Sequence, residues 1–355
     1  MSKHTICGYA WGDVQGALQR SIAAADMDRA QRWAAELVCS ESGLGRLEAV
    51  LFHTWAAYVG LTNAPGWPQT WFKNIQHIRL IWHRAGGDIL AVRNTPSVRQ
   101  SVAEVVAWLV LAPKRNLPVI PKPEDCFRES EAVRRRIRSG GGAGDQTIAK
   151  RIWVPGQDGA DLKTIGNELE AALRANQTTQ LLFWIVWLLT MDTLKDAPSI
   201  KERAPPEITG KQRKSVAWFL VEMSKEFLGD LRILSAEDLK ALFDLFVTTW
   251  TKLGTKGRRD VFVALLLFIQ ERSQKSLTLV APPTPKPPIT GMQGAMGAVD
   301  KFYTEIAEEA RRFVAETPEI TGLTPEAATT LRAAKKVTTL TSDDKLALAY
   351  QLLHR

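Results

Sequence analysis

The sequence predicts an all-α fold, and two observations support this. Apolar residues recur at three- and four-residue spacing along most of the chain, which is the period of a helix with one buried face. The periodic stretches end at Gly, Pro or Asn, which are residues that stop helices. One stretch, residues 148–154, is predicted as a β-strand closed by Pro155-Gly156. The predicted architecture is two helical bundles joined by a Pro/Gly/Arg-rich segment and followed by a tethered helical tail.

The first bundle is expected over residues 1–120. Asp26 or Asp28 is placed to cap the second of its helices. Most of its Trp residues have core spacing, but Trp67 and Trp71 flank Pro68 and are expected to be the most exposed. The periodic stretches are 14–38 (interrupted at 25–28), 47–61, 71–82 and 98–111.

A basic, Pro- and Gly-rich connector is expected over residues 121–161, with the composition of a mobile loop. The second bundle is expected over residues 162–280, a Pro-rich linker over 281–298 and a helical tail over 299–355. The amphipathic tail is compatible with docking on a neighbouring subunit or with folding back on its own chain. The helices of the second bundle are predicted near 162–174, 178–195, 211–228, 235–253 and 259–274.

Length and composition narrow the class of protein. The 355 residues allow two or three domains, and three Cys argue against a disulfide scaffold and fit a reducing compartment. No leader pattern opens the chain, and the longest apolar run, residues 181–191, is shorter than a membrane span requires. We therefore expect no membrane association and an intracellular location, cytoplasmic or nuclear, or a place in a virion.

No motif of an enzyme is present in the sequence. A Walker A loop needs Gly-x4-Gly-Lys-Ser/Thr, and neither Gly210-Lys211 nor Lys256-Gly257 lies in that pattern. No Gly-x-Ser-x-Gly motif occurs, and His77 and His83 are six residues apart, a poor spacing for two ligands on one helical face. We expect no catalytic residue, no metal site and no cofactor.

Basic residues cluster at three places, and these clusters are the candidate nucleic-acid contacts. The net charge of +8 is spread thinly along the chain, so the clustering is more informative than the total. Lys and Arg on exposed backbone suit phosphate contacts, although solvated loops that keep a Trp-rich protein soluble would have the same pattern. The candidates are Arg134, Arg135, Arg136 and Arg138, then Lys211, Arg213 and Lys214, then Lys256, Arg258 and Arg259.

Part of the first bundle resembles a known family. The matching pieces are residues 13–22, 25–30, 33–37, 46–47, 60–65 and 107–116, of which Ala112-Pro113-Lys114-Arg115-Asn116 is the most specific. Together they resemble the C-terminal helical domain of the clamp-loader-like MgsA/RarA AAA+ ATPases, over roughly residues 11–120. Residues 54–59 depart from the family pattern because they lack its acidic pair. The resemblance implies an oligomer-forming collar of a replication-fork ATPase, here without the ATPase domain, in which residues 114–116 shape a turn.

These observations lead to two main hypotheses of different classes, and an enzyme that uses an unrecognised site is a third. The first is a non-catalytic, homo-oligomeric helical protein of DNA replication or repair that binds DNA or RNA through its basic loops. The second is a structural or assembly protein of a large complex such as a virus particle, for which Trp-rich bundles and a tail (residues 299–355) that docks on a protein partner are also suited.

Overall fold

The computed structural model has the predicted all-α fold. It describes residues 4–128, 133, 135, 143–144, 146–192, 200–232, 234–274, 292, 294 and 296–316. Within these residues the backbone forms helices, and the single β-type contact is an isolated bridge between His4 and Ala10.

The described α-helices are numbered in chain order. They are α1 (Trp11–Ala23), α2 (Met27–Cys39), α3 (Gly43–Tyr58), α4 (Gly60–Asn63), α5 (Trp67–Arg84), α6 (Ile89–Asn94), α7 (Pro96–Leu111), α8 (Pro123–Arg128), α9 (Thr147–Ile152), α10 (Ala160–Arg174), α11 (Thr178–Met191), α12 (Ala217–Leu231), α13 (Ala236–Thr249), α14 (Thr255–Gln274) and α15 (Val299–Glu316). A 3-10 helix, Gly210–Lys214, precedes α12.

The chain forms two compact units, each assembled from stretches that are distant in sequence. Unit 1 contains the described residues within 1–51, 70–112 and 286–355, and unit 2 contains those within 52–69 and 113–285.

Unit 1 is built on the packing of α2 against α1 and α7. Helix α2 begins after Asp26, whose carboxylate accepts a hydrogen bond from the Arg29 N–H and so caps the helix; Asp26 is one of the two capping residues that the sequence allows. The buried Gln31 side chain of α2 donates to the Ala103 carbonyl of α7 at 2.8 Å. This bond satisfies a polar group that would otherwise be costly to bury.

The tail helix α15 folds back on its own chain, which is one of the two arrangements that the sequence allows. It packs against α2 and α7 within unit 1 and buries Ile306 and other apolar residues. Its Glu309 carboxylate accepts hydrogen bonds from Arg32 and Tyr9. Arg99 donates to Asp300 at 2.8 Å and lies over the ring of Tyr303. The remainder of the predicted tail, residues 317–355, lies outside the described residues.

Unit 2 has an aromatic core and a buried ion pair. The rings of Trp218 and Trp250 lie 4.5 Å apart, and Phe246 packs edge-on against both. Elsewhere in the unit the Asp158 carboxylate accepts two hydrogen bonds from the guanidinium of Arg203, and both side chains are almost completely buried. A paired and hydrogen-bonded charge is the form in which an ionised group can be buried.

The predicted strand over residues 148–154 is wrong, because this stretch forms helix α9. The reason is a long-range cap. The buried Glu170 carboxylate on α10 accepts hydrogen bonds of 2.8 Å from the backbone N–H groups of Ile148 and Ala149. These N–H groups lie in the first turn of α9, where a helix leaves its donors without internal partners. The apolar residues that suggested a strand instead form the buried face of this short helix.

The predicted exposure of Trp67 and Trp71 is also wrong, since both side chains are fully buried. Trp67 stacks on Trp55 with ring centroids 6.1 Å apart. Pro68 follows Trp67 at the start of α5, a position where the missing N–H of proline costs nothing. The proline therefore marks a helix start and not an exposed turn.

Candidate anion-binding cleft

The segment after α7 is positioned by the end of α3. The Arg115 N–H donates to the Tyr58 carbonyl at 2.8 Å, and its Nη2 donates to the Ala56 carbonyl at 2.8 Å. The Asn63 side chain donates to the Pro113 carbonyl at 2.9 Å. Residues 60–65 and 113–116, two of the pieces that carry the family resemblance, are therefore in direct contact.

Gly60 is required for this arrangement. Its φ of +70° lies in the left-handed region, which favours glycine. A Cβ at this position would lie 2.5 Å from the Cζ of Arg115. The glycine therefore leaves space for the guanidinium as well as allowing the backbone turn.

The second contribution comes from the first turns of α14. Lys256 and Arg259 are three residues apart on this helix, so their side chains are neighbours. Arg259 donates to Asp260 at 3.0 and 3.1 Å, and Asp260 also bonds the His53 ring at 2.8 Å. Burial raises the pKa of Asp260, but the hydrogen bond from His53 and the charge of Arg259 outweigh burial and hold this pKa below its ordinary value.

Arg115, Lys256 and Arg259 line one cleft of about 460 Å³ within unit 2. Three cationic side chains face it against a single carboxylate, that of Asp260, which is ionised at neutral pH because its pKa is lowered. The rest of the lining is polar or apolar and uncharged, and consists of Ala57, Tyr58, Asn116, Leu117, Pro118 and Ile120. The excess of positive charge favours an anionic ligand.

The environment of Arg115 strengthens this preference. Burial lowers the pKa of Arg115, and the negative charge of Glu271 offsets this only in part. Its Nε is buried and has no hydrogen-bond partner among the described residues. A guanidinium that has lost much of its water and has a donor unsatisfied gains more from a nearby anion than a fully solvated one does.

Other candidates from the sequence have different surroundings. The Arg258 guanidinium lies 3.8 Å from the centroid of the Trp250 ring and donates to the Trp250 carbonyl. Arg213 pairs with Glu202 and donates to the Ile208 carbonyl. The structure thus gives both arginines partners within the chain.

Three further candidates are exposed and outside the cleft lining, namely Lys211, Lys214 and Arg135. The other members of the arginine cluster, Arg134, Arg136 and Arg138, lie outside the described residues. Of the seven candidates that the structure describes, it brings Lys256 and Arg259 together in the cleft, and it adds Arg115. The motif of residues 112–116 was the only signal in the sequence that pointed to Arg115.

Comparisons of the chain with family models, with curated proteins and with solved structures gave no match. In the part of the chain that the structure describes, no three His, Cys, Asp or Glu side chains form a cluster that could hold a metal ion. Across the same residues, no helix combines the length and the apolar character needed to cross a membrane.

Proposed function

We propose that this chain is a non-catalytic accessory protein of DNA replication or repair that binds nucleic acid and forms oligomers. The observation that carries the nucleic-acid part is the convergence of Arg115, Lys256 and Arg259 on one cleft. Phosphates supply much of the affinity of proteins for nucleic acids, and Arg and Lys are their main contacts. The resemblance of residues 11–120 to a clamp-loader-type collar supports the replication role and the self-association.

Salt dependence is the test of the nucleic-acid part. We expect a fluorescently labelled oligonucleotide to bind with an affinity that falls steeply as salt rises, read by fluorescence anisotropy. For a single strand, each neutralised phosphate contributes about −0.7 to the slope of log K against log salt. The double variant Lys256→Gln/Arg259→Gln should therefore reduce the magnitude of this slope by about 1.4.

Lys211 and Lys214 provide a matched control, because both are exposed and lie outside the cleft lining. The variant Lys211→Gln/Lys214→Gln removes the same total charge and should leave the slope nearly unchanged. An equal loss in both double variants would mean that overall charge, and not the cleft, attracts the nucleic acid. Absence of binding at low salt would refute the proposal and favour the assembly role.

Lys256→Glu is a second variant for the case that loss of Arg259 disturbs Asp260. Lys256 is exposed, so its substitution by Glu should leave the thermal unfolding curve unchanged while weakening oligonucleotide binding.

Static light scattering on the same samples measures the mass of the protein. A monomer at all concentrations used would refute the oligomeric part of the proposal.

A further inference from the structure

The cleft that Arg115 lines has two chemically different kinds of lining residue. One kind is cationic, as described above. The other is aromatic or apolar and includes Tyr58, Leu117, Pro118 and Ile120. A ligand that fills this space needs an anionic group and a flat or apolar group a short distance apart.

Duplex nucleic acid does not present this combination. It exposes rows of phosphates and keeps the faces of its bases stacked inside, so placing a base in a cleft requires the base to be unstacked at a cost of a few kcal/mol. A single strand already offers its bases, and bases stack on aromatic side chains without strong sequence preference. A phosphate and a base of the same strand are the two groups that suit the two kinds of lining residue.

The volume of the cleft and the surroundings of the Tyr58 side chain agree with this ligand. A volume of about 460 Å³ is in the range of small-molecule sites, which suits one nucleotide and excludes a double helix from the interior of the cleft. The Tyr58 side chain is partly exposed, and within the described residues its ring and hydroxyl have no hydrogen bond or ring contact. Its carbonyl holds Arg115, so the backbone of Tyr58 is fixed while the ring is available.

We infer that the cleft holds one unstacked nucleotide of a single strand, with its base against Tyr58 and Pro118 and its phosphate against Lys256 and Arg259. This inference rests on the proposed function, because it names the form of nucleic acid that the same cleft selects. It predicts that single strands bind more tightly than duplexes of the same sequence.

The test compares a labelled single-stranded oligonucleotide, its duplex and a strand of the same length built from abasic units. We expect the single strand to bind more tightly than both of the others. Tyr58→Ala should weaken binding of the single strand by about 5- to 150-fold, the range expected for loss of one stacked base. Binding of the duplex and of the abasic strand should change by less than about twofold, because neither places a base on the ring.

Tyr58→Phe is the matched control, since it keeps the aromatic face and the backbone contact with Arg115. It should retain nearly all of the affinity. Equal binding of single strand and duplex, with no effect of Tyr58→Ala, would overturn this inference and leave the proposed function standing. Failure of all three probes to bind at low salt would overturn both. If Tyr58→Phe lost as much affinity as Tyr58→Ala, the hydroxyl and not the ring face would be the contact, and stacking would be refuted.

Discussion

The ion pair of Asp158 and Arg203 gives the sharpest prediction on the stability of unit 2. The Asp158 carboxylate accepts hydrogen bonds from Arg203 and from the backbone N–H groups of Val154 and Lys201, at 2.8 and 2.7 Å. The Asp158 side chain is 0% exposed and that of Arg203 is 1% exposed. Asp158→Ala would leave a buried guanidinium with only part of its partners, among them Glu222. Removal of one partner from a buried pair costs about 3–5 kcal/mol of unfolding free energy.

This loss corresponds to a fall in Tm of roughly 6–20 °C for a unit of this size, measured by circular dichroism or calorimetry. Glu207→Ala is the control, because Glu207 is an exposed loop carboxylate whose removal should change the unfolding free energy by less than about 0.5 kcal/mol. A loss below about 1 kcal/mol in Asp158→Ala would refute the reasoning. It would mean that water or a rearranged neighbour replaces the carboxylate.

The same pair predicts a dependence on pH. Burial raises the pKa of Asp158, but the hydrogen bonds from Arg203 and from the backbone of Lys201 and Val154 outweigh it and hold this pKa below its ordinary value of 3.8. The unfolded chain therefore binds the proton at a higher pH than the native protein does. The stabilisation by ionised Asp158 is present above pH 3.8 and is lost as the pH falls through the native pKa. The gap in unfolding free energy between wild type and Asp158→Asn should close over that range, and a constant gap would contradict the lowered pKa.

Three further predictions concern the cleft and the tail helix. Gly60→Ala should cost about 1–2 kcal/mol of backbone strain and displace Arg115. We therefore expect a lower urea midpoint and weaker oligonucleotide binding. Unchanged affinity would argue against Arg115 as a contact. Ile306→Ala should lower the unfolding free energy of unit 1 by about 2–5 kcal/mol, since this side chain of α15 is buried against the rest of unit 1, and a neutral result would contradict the docking of the tail. Glu309→Gln should lower the pKa of Tyr9 from about 12 towards 10.0, because the hydrogen bond to Glu309 is the main cause of the shift. A spectrophotometric titration, with Tyr9→Phe as the reference, measures this pKa, and an unchanged value would contradict the prediction.

Helical periodicity predicts most of the fold because it depends on each helix alone. The stretches predicted near 162–174 and 178–195 correspond to α10 and α11 with small differences at their ends. The stretch predicted near 211–228 is divided into the 3-10 helix and α12. The division occurs at Ser215, where the Asp192 carboxylate accepts hydrogen bonds from the Ser215 hydroxyl and the Val216 N–H. A partner more than twenty residues away sets this helix start, and local periodicity contains no sign of it.

The division into units follows from contacts that composition does not reveal. In the sequence, Pro- and Gly-rich stretches suggest boundaries between consecutive segments. The units of the structure are instead assembled from stretches that are separated in the sequence. The C-terminal end of α3 and the start of α5 belong to unit 2, and α15 belongs to unit 1. Packing of apolar faces decides this membership, and a helical pattern states which face is apolar but not what covers it.

The sequence likewise predicts the residues of the candidate site on one helix but not the contacts between distant segments. The pairing of Lys256 and Arg259 is predictable from the sequence because they are neighbours on one helix. Arg258, which lies between them in the sequence, instead packs its guanidinium on the face of Trp250. Arg115 becomes part of the cleft only through the carbonyls of Ala56 and Tyr58, contacts across more than fifty residues.

The motif that resembles the collar family and the cleft that suggests nucleic-acid binding thus have one residue in common. Arg115 is part of the most specific matching motif, and it is also the most desolvated cation of the cleft. Its carbonyl partners hold its position, so a ligand need not order it on binding, and the entropy cost of binding is reduced. This segment contributes both to the architecture and to the proposed recognition, because the hydrogen bonds that hold it also fix the charge that faces the cleft. Arg115→Lys separates the two roles: it keeps a cation and the backbone contact but removes the bond to Ala56, and it should weaken binding more than it lowers the urea midpoint.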